Sequence, residues 1–146
     1  MNMQQIATTV DQSGILLFDG IDKATADMVW VRYAKGGYRL EVLHREVFEE
    51  IGEEDIPAWS LSALLEMMPK ELANVGYNKK GEQVVSLAKL AIDTFIVDER
   101  SMWRIGYKGK RRYWIKCYSD NLIRAAWDMI GFLIRQGYIK KGGNNE

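Results

Sequence analysis

The densest chemistry in the chain lies between Arg100 and Lys116, where Arg100, Arg104, Lys108, Lys110, Arg111, Arg112 and Lys116 supply seven cations and no carboxylate intervenes. Met102 to Tyr107 and Arg112 to Cys117 alternate in polarity on either side of Lys108-Gly109-Lys110-Arg111, which is the pattern of a β-hairpin. Period-two alternation in both arms places Trp103, Ile105, Tyr107, Tyr113, Ile115 and Cys117 on one face and Arg104, Lys108, Arg112, Trp114 and Lys116 on the other. Cations beside an aromatic ring suit single-stranded nucleic acid, the charges tracking phosphates and the ring stacking under a base. The candidate nucleic-acid-binding residues are therefore Arg104, Lys108, Lys110, Arg111, Arg112, Trp114 and Lys116. The competing reading is a solubilised sheet face, with a guanidinium stacked on Trp114 and the lysines discouraging edge pairing.

Carboxylates cluster elsewhere. Arg45-Glu46-Val47-Phe48-Glu49-Glu50-Ile51-Gly52 resembles the second half of the Nudix box, in which glutamates on one helical face hold the divalent ions of a nucleoside-diphosphate hydrolase. The first half is missing: Gly37 and Val31 stand where that pattern requires Glu and Gly, and Glu53 replaces the aliphatic residue that should follow the final Gly. With no scaffold to aim the carboxylates, the string reads as a solvated acidic segment touching the core through Val47, Phe48 and Ile51. Asp11, Asp22, Asp27 and Asp120 lie near expected helix starts, where capping explains them.

One histidine, His44, and one cysteine, Cys117, exclude a disulfide framework and a Cys/His metal cluster, and nothing in their spacing pairs them as base and nucleophile. No Gly-rich phosphate loop, metalloprotease helix, nucleophile elbow or calcium loop occurs. No catalytic residue, metal ligand or cofactor is assigned. The beginning of the chain carries no targeting signal and no run is apolar enough to span a membrane, so a cytoplasmic location with no membrane partner is expected.

The elements that must hold these residues are legible from periodicity. Leu122, Ile123, Ala126, Met129, Ile130, Leu133 and Ile134 recur at helical spacing, with Ser119 as the expected N-cap, Tyr118 and Ile123 as a staple, and Gly137 at the C′ position. Ser60 caps a second helix through Leu61, Leu64, Leu65 and Met68, stapled by Trp59 and stopped at Pro69. A third runs from Asp11 to Gly20, with a further turn after Asp22. Val29–Ala34 and Tyr38–Leu43 flank Lys35-Gly36-Gly37 as another hairpin. Val84–Val97 mixes both periods; strand is preferred for Leu90–Val97. The expected class is α+β: an antiparallel sheet of two hairpins plus a strand, with two or three helices including a long C-terminal amphipathic one. The chain reads as a single domain over 1–146, ordered from about 11 to 139, with 140–146 expected as a disordered polar tail.

Three blocks carry a resemblance. They are Asp11-Gln12-Ser13 with Leu16-Leu17, Gly20-Ile21 and Thr25-Ala26-Asp27-Met28; Asp55-Ile56-Pro57-Ala58-Trp59-Ser60-Leu61-Ser62-Ala63-Leu64-Leu65 with Met68-Pro69; and Tyr118-Ser119-Asp120-Asn121-Leu122 with Ala125-Ala126. Together they are similar to a family of small uncharacterised proteins of gut Bacteroides-type phages, prophages and mobile elements. The resemblance implies an accessory protein and brings no activity with it. The blocks coincide with caps, staples and helix cores, which is the imprint of a fold.

Twenty Lys and Arg balance twenty Asp and Glu, excluding a uniformly basic protein, yet the balance is segregated. Glu41 to Asp55 holds seven carboxylates against Arg45, opposed by the basic run of the second hairpin. Local fields of this kind act within about a Debye length, roughly 8 Å in physiological salt. Five Trp, seven Tyr and seven Met exceed what one small core needs, pointing to an exposed aromatic patch. The leading expectation is a non-enzymatic domain that binds a protein partner or forms a homo-dimer. Single-stranded nucleic-acid binding is the alternative, and Nudix-like hydrolysis a third.

Overall fold

The computed structural model describes residues 5–33, 36–43 and 54–139. The elements are α1 (Val10–Phe18), a 3-10 turn (Lys23–Thr25), β1 (Met28–Arg32), β2 (Tyr38–Val42), β3 (Ile56–Ala58), α2 (Leu61–Met67), β4 (Glu71–Tyr77), β5 (Gln83–Val97), β6 (Arg100–Lys108), β7 (Tyr113–Ser119) and α3 (Leu122–Arg135). The class is α+β, as expected. The two hairpins belong to separate antiparallel sheets, one ordered β2-β1-β3 and the other β4-β5-β6-β7. His44, the half-Nudix string Arg45–Gly52 and the expected tail 140–146 lie outside the described residues.

α3 is the keel of the core. Ile123, Ala125, Ala126, Met129, Ile130, Leu133 and Ile134 are buried, and the helix packs on β6, β7 and α2. It ends as the sequence indicates: Gly137 has φ +81°, its N–H donates to Ile134 O at 3.1 Å, and Tyr138 N–H donates to Leu133 O at 2.8 Å, a Schellman closure. The start differs. Asn121 is the N-cap, its Oδ1 accepting from Ile123 N and Arg124 N, while Ser119 Oγ accepts from Asn121 N one turn earlier. Ser119 is still in β7, so its backbone cannot leave the ladder to open a helix, and Tyr118 faces away from α3 and cannot staple it.

α2 matches its signals, with Ser60 Oγ accepting from Ala63 N and Pro69 following the C-cap Met68. Its cap is itself held: Asp27 Oδ1 accepts from Ser60 N at 2.9 Å and Oδ2 accepts from Ser60 Oγ. Asp27 thus supports another element's cap across the fold. Asp22 caps the 3-10 turn as expected, whereas α1 is opened by Thr9 in a capping box with Gln12, two residues before the expected start at Asp11.

The N-terminal segment is stitched in earlier than residue 11. Thr8 N–H donates to Trp59 O at 2.9 Å, Thr8 Oγ1 accepts from Trp59 N at 3.1 Å, and Ala7 bridges to Ser60. Three indoles act as interior ties: Trp30 donates to Thr8 O, Trp59 to Thr25 Oγ1 and Trp127 to Gln12 O. A buried indole needs a partner for its N–H, and each tie joins segments distant in sequence.

β5 is one continuous 15-residue strand, so the helical spacing of Val84–Ala91 is incidental. It is long because it serves two hairpins. Its first half pairs with β4, from Tyr77↔Gln83 to Glu71↔Lys89, and its second half pairs with β6, from Lys89↔Lys108 to Val97↔Arg100. β4, which carries only Leu72 to the core, gives too weak an apolar pattern to be read from sequence.

Candidate interaction surface

The second hairpin forms with one extra residue. Tyr107 pairs with Ile115 while Lys108 pairs with Tyr113, leaving Trp114 as the bulged position. A bulge resets the alternation. Ile105, Tyr107, Ile115 and Cys117 point inward as the sequence indicates, but Tyr113 and Trp114 exchange faces. Trp114 packs against the core cluster and lines a groove of about 630 Å³ with Leu72, Arg112, Phe132 and Tyr138; Tyr113 lies outward. Two glycines receive the displaced rings. A β-carbon at Gly106 would stand 2.7 Å from the Tyr113 ring, and one at Gly109 would stand 2.5 Å from Trp114 Nε1.

The outward face of β5–β7 is a ladder of rings and charges. Arg104 donates to both Asp93 oxygens, from Nε at 2.7 Å and from Nη2 at 2.6 Å. Its guanidinium carbon lies 5.0 Å from the Phe95 ring centroid and 4.7 Å from that of Tyr113. Tyr113 Oη donates to Asp93 at 3.1 Å. Lys108 and Lys116 approach Tyr113, Lys116 also approaches Tyr118, and Tyr118 meets Phe95 edge-on at 5.2 Å. The hydrogen bonds from Arg104 hold the Asp93 carboxyl below its ordinary range. Burial first, then its bond to Asp93, raises the Tyr113 phenol.

Of the seven residues expected to contact nucleic acid, the structure therefore gathers Arg104, Lys108 and Lys116 around Tyr113, leaves Lys110, Arg111 and Arg112 exposed in the connecting turn, and sends Trp114 to the opposite side. Sequence reasoning missed Phe95, Asp93, Tyr113 and Tyr118 as members of this face. Only the bulge, which has no clear sequence signature, would have revealed Tyr113; Tyr118 follows from the alternation of Lys116 and Cys117 once β7 is extended to Ser119. The acidic residues described near β2 find partners of their own, Glu41 with Arg39 and Glu54 with Arg32, while Arg100 of the basic run pairs with Asp120.

A second feature of the same sheet is apolar. Beyond the buried Leu72↔Ala88 pair, β4 and β5 continue as a two-stranded ribbon that no helix of the described residues covers. Ala73↔Leu87, Val75↔Val85 and Tyr77↔Gln83 align on its outward face, with Val75 52%, Tyr77 73%, Val85 56% and Leu87 49% exposed. The ribbon's tip is fixed. Asn78 Oδ1 accepts from Lys80 N and Glu82 N at 2.9 Å, Asn78 N–H donates to Glu82 O, and Gly81 takes φ +79°. Further along the sheet Ile92, Ile96, Val97 and Trp103 are exposed as well.

Burial, reinforced by the Asp128 charge, pushes the Cys117 thiol up to about 11, away from the thiolate a nucleophile requires. The Tyr107 phenol is pushed up to about 12 by burial and donates to Pro69 O at 2.7 Å, a structural tie between β6 and the end of α2. Among the described residues no three His, Cys, Asp or Glu side chains are grouped so as to hold a metal ion, and no helix is long and apolar enough to cross a membrane. No family model, curated protein or solved structure matches the chain.

Proposed function

We propose that the chain is a non-enzymatic association domain, an accessory protein of the phage or mobile-element kind that the sequence blocks resemble, and that it works by joining its four-stranded sheet to that of another copy of itself. The observation that carries this is the β4–β5 ribbon. An antiparallel sheet with one solvated face ordinarily turns polar residues outward. Here the outward face presents Val75, Val85 and Leu87 beside Tyr77. A two-stranded hairpin without a covering layer is marginally stable in water, and contiguous apolar surface of this kind marks a contact. The fixed Asn78 turn presents the ribbon in a single shape, which lowers the ordering cost of association. Zero net charge removes any global repulsion between copies.

The same geometry weighs against nucleic acid. Arg104 is committed to Asp93, the rings of Tyr113 and Tyr118 already carry lysines, and the ring first expected to stack, Trp114, faces the groove. Sedimentation velocity over a range of concentrations tests the proposal. The native chain is expected to gain mass with concentration, and a Val75→Lys/Val85→Lys variant to remain a monomer. A native chain that is monomeric throughout would remove the reading.

A further inference from the structure

We infer that the second copy docks edge to edge on β4, pairing Glu71–Tyr77 with its own symmetry mate in an antiparallel register centred on Asn74. This rests on the association reading and adds where the copies meet. The sheet ends in two edges, β4 and β7. Natural edges are blunted by lysine, proline or bulges. β7 carries both Lys116 and the bulge, and α3 follows it directly. Within β4 there is no lysine, no proline and no register shift, so its unpaired backbone groups form a regular row of donors and acceptors.

The sequence of the strand sets the register. Pairing all seven residues of two antiparallel copies requires a two-fold axis at Asn74. That register places Glu71 opposite Tyr77, Leu72 opposite Gly76 and Ala73 opposite Val75, with Asn74 facing its own copy. No like charges confront each other. Ala73, Val75 and Tyr77 of both copies then lie side by side on one outward face, flanked by Val85 and Leu87 of each β5, as a single apolar band across the two ribbons. The occupant is therefore a second copy, since the edge complements itself in length, charge and face.

Directly opposed residues in an antiparallel pair have Cα atoms about 4.5–5.5 Å apart, inside the roughly 4.4–6.8 Å span of a disulfide. An Asn74→Cys/Cys117→Ser chain is expected to form a covalent dimer on mild oxidation, while Lys80→Cys/Cys117→Ser, at the ribbon tip, stays monomeric under denaturing electrophoresis. Asn74→Lys, at an exposed position, sets two ammonium groups against each other on the axis and is expected to weaken association by roughly tenfold or more. If Asn74→Cys cross-links no better than Lys80→Cys, or Asn74→Lys associates as the native chain does, while the native chain is a dimer, the edge pairing is wrong and the association reading stands. If the native chain is a monomer at every concentration, both fall.

Discussion

Asp93 and Arg104 meet across β5 and β6 as directly opposed residues and share two hydrogen bonds of 2.7 and 2.6 Å, on the sheet face opposite α3. The bidentate geometry fixes the guanidinium between Phe95 and Tyr113 and makes Arg104 a structural cation. Because the folded carboxyl titrates below its unfolded value, the pair contributes stability above the unfolded Asp pKa of about 3.9 and loses it as pH falls through the lowered folded value. Thermal melts of native and Asp93→Asn protein should therefore differ at pH 7 and converge on acidification below about pH 4. An equal difference at both ends would show that the carboxylate charge is not what matters.

Removing that restraint should expose what the basic hairpin can do. Asp93→Ala is expected to strengthen low-salt binding of a fluorescent oligothymidylate and to steepen its salt dependence by about 0.7 in the log–log slope, one additional cation on a single strand. Strong native binding that Asp93→Ala leaves unchanged would restore the nucleic-acid reading of Lys108, Lys110, Arg111, Arg112 and Lys116.

The turn between β5 and β6 offers an independent check on the backbone. Asp98 at φ 50° and Glu99 at φ 64° are the two central residues of a type I′ hairpin turn, a geometry that favours Asn-Gly. Replacing them with Asn-Gly should stabilise the protein by about 1 kcal/mol and raise Tm by roughly 2–4 °C. A drop in Tm would place the strain elsewhere.

Gly106 should tolerate no side chain. Its β-carbon would stand 2.5 Å from Ile115 O as well as against Tyr113, so Gly106→Ala is expected to cost about 1–3 kcal/mol in denaturant melts and to perturb tyrosine near-ultraviolet dichroism. Unchanged stability would mean that Tyr113 does not lie across this glycine.

Cys117 should be chemically quiet. A thiol titrating near 11 is thiolate in only about one molecule in a thousand at pH 8, so modification by a disulfide reagent should be slow in the folded protein and rapid after unfolding. Fast labelling of the native chain would contradict the burial of this strand face.

What the sequence discloses depends on how strongly each residue's pattern is tied to one geometry. Ser60, Pro69 and Gly137 act through local backbone chemistry, and each is found where its type requires. Asn121 displaced Ser119 as the cap because β7 runs two residues further than alternation suggests, a choice made by sheet pairing. The reversal of Tyr113 and Trp114 has the same origin: a single bulged residue changes the faces on its turn side while Ile115 and Cys117 keep theirs, and the rings fit only because Gly106 and Gly109 lie beneath them. β4 was silent for the reason that makes it interesting. A strand with one buried residue and an apolar outward face lacks the inside–outside alternation that identifies strands, since part of its packing is expected from outside the chain.

Hydrogen exchange at different protein concentrations tests the central claim most directly, because it reads both whether copies associate and where. Amides of Glu71–Tyr77, on an edge that no strand of the described residues pairs, should become protected as concentration rises, while those of β6 and α3 stay unchanged. If the β4 amides exchange at one rate from dilute to concentrated solution, the uncovered ribbon is not the surface through which this protein acts.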